Sequence, residues 1–151
     1  MRTVVAASRR LRPEPRGLIE ILADVATFAP AVCLAGGIPP ERVGRASGLI
    51  VFGGDPVGQE LLARTPRVQI IACAFRFLEH VDVQACTRRG VWVTVVPRHV
   101  CDHLEAELCA ARNVIDVLNG DEPRHAVNLP RRHASLLLSA GSAAAPSARA
   151  A

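Results

Sequence analysis

Five short apolar runs, separated by polar or turn-rich stretches, set the plan of this chain. Thr3–Ala7, Asp24–Phe28, Gly48–Phe52, Val68–Cys73 and Val91–Val96 each read as a strand. Val68-Gln69-Ile70-Ile71-Ala72-Cys73 is almost continuously apolar, the mark of a parallel strand buried on both faces. Val91-Trp92-Val93-Thr94-Val95-Val96 is rich in β-branched residues, which suit a pleated surface. Helical stretches lie between the runs. Arg9–Arg16, with Pro13 and Pro15, gives a turn and a helix start that continues to Leu22, with Leu18, Ile21 and Leu22 inward. Pro39 opens a short helix through Arg45. Val57–Thr65 turns Leu61 and Leu62 inward. Val81–Arg88 makes about two helical turns, begun at Asp82 and stopped by Gly90. Pro30–Ile38 is ambiguous. Strands alternating with helices predict a doubly wound α/β domain with a parallel sheet of about five strands.

After Pro97 the pattern changes. Leu104, Leu108, Ala111, Ile115 and Leu118 recur at helical spacing and predict a long helix over His103–Asn119. Asp102 is placed to cap it, with Glu105 at the capping-box position and Gly120 to end it. This stripe predicts packing on the domain's own sheet; a helix-to-helix dimer seam is the alternative. From Pro130 onward Ala, Ser and Arg dominate, predicting a disordered tail at 130–151 beyond a domain at 1–129. Leu136-Leu137-Leu138 is the part of that tail able to dock locally.

Composition refines this picture in a few places. Half of the 151 residues are apolar, enough for one core. Tyr is absent and Trp92 is alone, so the core must be aliphatic. All basic residues are Arg, and the net charge of +4 is modest. Arg-rich ends without interleaved aromatics do not make a nucleic-acid surface. No apolar run reaches the ~20 residues of a membrane span. The five cysteines, Cys33, Cys73, Cys86, Cys101 and Cys109, show no CxxC spacing and read as reduced thiols. With no secretory pattern at the start, the expectation is a cytoplasmic protein without nucleic-acid or membrane partners.

Ligands of parallel sheets bind beyond the carboxyl ends of the strands. Arg76, between Phe75 and Phe77, would lie at such an end, and a guanidinium offers a fork of donors matched to an oxyanion. Gly53-Gly54, after the third strand, would face the same cleft. His99, Cys101, His103 and Cys109 hold metal-capable atoms. Cys101 lacks a CxxC partner and Cys109 falls on the apolar side, so no metal site is expected. Glu105 and Glu107 read as helix-surface charges, too close in sequence to face each other as an acid/base pair.

Two segments resemble the D-isomer-specific 2-hydroxyacid dehydrogenases. One is GLIVFGGDPVGQELLARTPRVQIIACAF followed by VDVQACTRRGVWVTVVP; the other is HLEAELCAARNVIDVLNGDEPRHAVNLP. Within that family the likeness is to the phosphite (phosphonate) dehydrogenases. The resemblance implies a flavodoxin-like substrate-binding domain closed by the family's returning C-terminal helix. It also implies a small oxyanion, phosphite or a 2-hydroxy or 2-keto acid, held near Arg76 by that side chain and by Phe75, Phe77, Gly53 and Gly54. Phe77 stands where the family pattern has Gly, and Glu79-His80 replace Asp-Asn. In the family, an NAD-binding Rossmann domain carrying the catalytic Arg, Glu and His lies between the two segments. Here Pro97 is followed almost at once by His103, and no GxGxxG occurs. His80, His99, His103, His125 and His133 do not match the catalytic His. The resemblance therefore implies a truncated relative, with no catalytic residues and no cofactor of its own, inactive alone. The alternatives are an anion-binding module or accessory subunit beside a separate dehydrogenase partner, and an interaction protein or homodimer using the helix at 103–119.

Overall fold

A computed structural model describes residues 1–29 and 40–130. The ambiguous stretch at Pro30–Ile38 and the tail from residue 131 lie outside the described residues. The elements are β1 (Thr3–Ala7), α1 (Pro13–Glu20), β2 (Ala23–Thr27), α2 (Glu41–Gly44), β3 (Gly48–Val51), α3 (Gln59–Arg64), β4 (Ile70–Cys73), α4 (Val83–Arg88), β5 (Trp92–Thr94) and α5 (His103–Leu118). The strands form one parallel sheet in the order β2-β1-β3-β4-β5. This is the flavodoxin-like order, with its switch point between β1 and β3.

Alternation along the strands builds two core layers. Val4, Ala6, Leu49, Val51, Ile71, Cys73 and Val93 pack against Val43 of α2, Leu61 and Leu62 of α3, and Ala85 and Cys86 of α4. Val5, Ala7, Ile50, Ile70, Ala72 and Trp92 pack against Ile19 of α1 and Ala110, Ala111, Val114 and Val117 of α5. Gly48 allows that second layer to close. A Cβ there would come to 3.0 Å from the Val114 side chain, tighter than ordinary contact, so glycine lets β3 pass under α5 without displacing that side chain.

Two helical faces differ from expectation. In α1 the buried residues are Pro15 and Ile19, whereas Ile21 and Leu22 lie past the helix end and are exposed. In α5 the buried face is Glu107, Ala110, Ala111, Asn113, Val114 and Val117. Leu104, Leu108 and Ile115 are only half-buried. Apolar positions alone misplace the face, because two of its members are polar. Asn113 Oδ1 accepts from the Arg124 backbone N–H at 3.1 Å. Glu107 is not the surface charge expected: its two carboxylate oxygens accept from the Arg12 backbone N–H at 2.9 Å and from Arg12 Nη1 at 3.2 Å. The ends of α5 are as expected: Asp102 accepts from the Glu105 N–H at 3.0 Å, and Gly120 follows with φ of 87°.

Beyond α5 the chain returns along the outer edge of β5. Thr94 bridges Ala126 in antiparallel fashion, Val127 N donates to Val93 O at 2.9 Å, and Val95 N donates to His125 O at 3.2 Å. Asn128 fastens this segment. Its Oδ1 accepts from Val93 N at 2.8 Å, and its Nδ2 donates to Val91 O at 2.9 Å and to Thr87 Oγ1 at 3.0 Å.

Cys73 and Cys86 share the first core layer. Burial, aided by Cys86, pushes the Cys73 thiol from the ordinary 9.0 up to about 12. Burial, then nearby Asp82, pushes Cys86 up to about 12 against the lowering effect of a backbone hydrogen bond. Both stay neutral when folded, while unfolded thiols ionise near 9. The unfolded state then binds fewer protons, so stability is full below about pH 9 and falls as pH rises toward 12. The chain has neither Tyr nor Lys, so few other side chains titrate there. Urea unfolding across this pH range should show the decline, and a Cys73→Ala/Cys86→Ala variant should flatten it.

Candidate anion-binding cleft

The carboxyl edge of the sheet gathers the loops after β1, β3, β4 and β5. Ala74 N donates to Val51 O at 2.9 Å and Val96 N to Phe75 O at 3.2 Å, fixing the loop after β4 between its neighbours. Val57 N donates to His80 O, and Asp82 N to Val57 O, both at 2.8 Å. Asp82 then caps α4 by accepting from Ala85 N at 2.9 Å. The fold therefore holds Phe75-Arg76-Phe77 at a defined place on this edge.

The five residues singled out from sequence do not share one pocket. Arg76 lines a cavity of about 300 Å³ together with Val96, Val100, Cys101, Asp102, His103 and Ala106. Gly53 and Gly54 line another, of about 280 Å³, with Glu79 and His80. Phe75 and Phe77 line both, so the aromatic pair partitions the cleft. Phe77 is 73% exposed. Arg76 is exposed, but one of its nitrogens is engaged: Nη2 donates to Val100 O at 2.5 Å and lies 3.4 Å from Cys101 Sγ. Its remaining donors are available for an oxyanion in the larger cavity.

Sequence reasoning missed the wall formed by Val100, Cys101 and His103. The signal was the short link from β5 to α5, which obliges residues 97–102 to cross the carboxyl end of the neighbouring β4. Cys101 and His103 line the cavity with Arg76, while Cys109 is half-buried on α5, where burial raises its thiol pKa. Among the described residues no three His, Cys, Asp or Glu side chains converge as a metal site.

The switch point between β1 and β3 is spanned by the chain's own contacts. The Ser8 hydroxyl donates to Asp55, whose carboxylate also accepts from Phe52 N at 2.9 Å. The Arg9 guanidinium lies over the Phe52 ring, 5.4 Å from its centroid. The turn from β1 to α1, Ser8-Arg9-Arg10-Leu11-Arg12, contains no glycine, so backbone there is not shaped for a pyrophosphate. These residues do not fit a dinucleotide.

Comparison with known proteins places this geometry. Residues 38–128 match the family model described as D-isomer specific 2-hydroxyacid dehydrogenase, catalytic domain. The glyoxylate/hydroxypyruvate reductase HPR3 of Arabidopsis thaliana is 33% identical over 79 residues, 52% of this chain and 24% of that protein. The chain thus spans about a quarter of that relative's length. The crystal structure of the TT0316 protein from Thermus thermophilus is similar with a TM-score of 0.53 and 30% identity, over 64% of this chain and 31% of that one. D-lactate dehydrogenase from Aquifex aeolicus, complexed with NAD and lactic acid, shares the fold with a TM-score of 0.51 and 22% identity, over 65% of this chain and 29% of its own.

Proposed function

The chain belongs to the D-isomer specific 2-hydroxyacid dehydrogenase family, and we propose that it is a substrate-domain relative that binds a small oxyanion but does not transfer hydride on its own. One observation carries this reading. β5 ends at Thr94 and α5 begins at His103, and both pack on one sheet. The family match over residues 38–128 includes both elements, leaving eight residues between them where the resemblance calls for a cofactor domain.

Hydride transfer needs a bound nicotinamide and an acid/base group held against the substrate. The glycine-free turn from β1 to α1 does not suit the dinucleotide. Arg76 is suited to orienting an anion, which is binding without the reacting partner. The anion is a small 2-oxo or 2-hydroxy acid, or phosphite. The similarity to a glyoxylate/hydroxypyruvate reductase supports the carboxylic acids, and the ACAFR and VDVQACTRRGVWVTVVP segments support phosphite.

The test is absorbance at the nicotinamide band. The purified chain is mixed with NADH or NADPH and glyoxylate or hydroxypyruvate, or with NAD and D-lactate or phosphite. No turnover above an Arg76→Ala control is expected. Turnover that the control lacks would overturn the inactive reading. Glyoxylate should raise the melting temperature of the parent chain and not that of Arg76→Ala.

A further inference from the structure

We propose that the opposite, amino-terminal edge of the sheet carries a second site, for a small phosphate-like dianion, built from Arg45, Arg67 and Ser47 with Arg2 at its rim. These residues line a cavity of about 140 Å³ at the starts of β1, β3 and β4. The volume is several times the ~30 Å³ share of a water molecule, room for a tetrahedral oxyanion but not for a nucleotide. Three guanidiniums converge there, and no carboxylate lines the cavity.

The three are unequally occupied. Arg2 is engaged, with Nη1 3.4 Å from Asp24 and Nη2 on the Glu20 carbonyl at 2.6 Å. Arg67 is exposed and has no ion pair or hydrogen bond among the described residues. Arg45 is poorly served. Its Nη1 lies against the Met1 thioether, a weak acceptor, and 3.6 Å from the largely exposed Glu41 carboxylate. Its Nε is buried without a partner. A buried donor left unsatisfied is costly, and a phosphate oxygen is the strong acceptor that a guanidinium fork matches. The frame is rigid: Ser47 N donates to Val4 O, and Ser47 O accepts from Gln69 N, both at 2.8 Å.

This site does not depend on the reading of the Arg76 cleft. The test is titration calorimetry of the 151-residue chain with inorganic phosphate, against sodium chloride of equal ionic strength. Millimolar binding is expected, weakened roughly tenfold in Arg67→Ala and in Arg45→Gln, as for loss of a charge-assisted contact. In the Arg76→Ala background, where oxyanion heat from the cleft is removed, this phosphate binding should persist. Arg67→Ala removes an exposed side chain with no partner among the described residues, so it tests the site without threatening the fold. No phosphate heat with the parent chain, binding indifferent to both substitutions, or binding lost in Arg76→Ala would each overturn the proposal.

Discussion

Replacing Trp92 with alanine should lower the free energy of unfolding by about 4 kcal/mol, within the range for truncating a buried large aromatic. The indole is 2% exposed and lies in the layer formed with Ile70, Ala110, Ala111 and Val114. The small residues Ala110 and Ala111 on α5 leave the space that the ring occupies, and nothing else in that layer is large enough to refill it. β5 has only three residues, so one side chain provides much of its anchorage. A typical domain is stable by about 5–15 kcal/mol, so a loss of about 4 kcal/mol removes between a quarter and most of that margin. Urea unfolding followed by far-ultraviolet circular dichroism measures this without the lost fluorophore. A change below about 1.5 kcal/mol would mean that the layer collapses around the gap.

Glu107→Ala should cost about 2 kcal/mol, the loss of a charge-assisted hydrogen bond to the Arg12 N–H, because the Arg12 side chain is 44% exposed and water takes up the orphaned guanidinium. Glu107 is 7% exposed, and it serves a helix far from it in sequence. Arg12 stands at the cap position of α1, makes no side-chain cap of its own, and is followed by proline. Its N–H is met by Glu107 of α5 at 2.9 Å, and the same carboxylate places negative charge at the start of α1. Glu107→Gln keeps the amide oxygen as an acceptor but loses the charge, so it should cost about a third as much. Equal losses for the two variants, measured by urea unfolding, would show that the charge and not the hydrogen bond holds α1.

These two residues also mark how far the sequence could be read. Trp92 was legible because a run of β-branched residues around one aromatic has few homes other than a strand. The other strands were legible for a similar reason, since short apolar runs between turn residues fix where a strand lies, although β4 and β5 are shorter than their runs by two and three residues. Glu107 was not legible. A carboxylate on an apolar-striped helix reads as solvent-facing until its partner, 95 residues earlier, is brought beside it. The α5 face was shifted for the same reason: Glu107 and Asn113 belong inside, and Leu104 and Leu108 ride at the margin. At the cleft, Arg76 could be placed at a strand end from local pattern. Its bond to Val100, and the division of the cleft by Phe75 and Phe77, depend on where the link from β5 to α5 crosses the sheet.

The segment that Asn128 fastens along β5 has a consequence for how the chain is made. Val93 N waits for an acceptor that lies 35 residues downstream, at Asn128. At roughly 5–20 residues per second, synthesis leaves that strand edge uncovered for about 2–7 s. During that interval the nascent sheet offers unpaired backbone to any neighbouring strand. The stretch around Asn128 ends this exposure, so a ribosome stalled before it would hold a sticky intermediate, whereas one that has passed it carries a sheet whose β5 edge is covered.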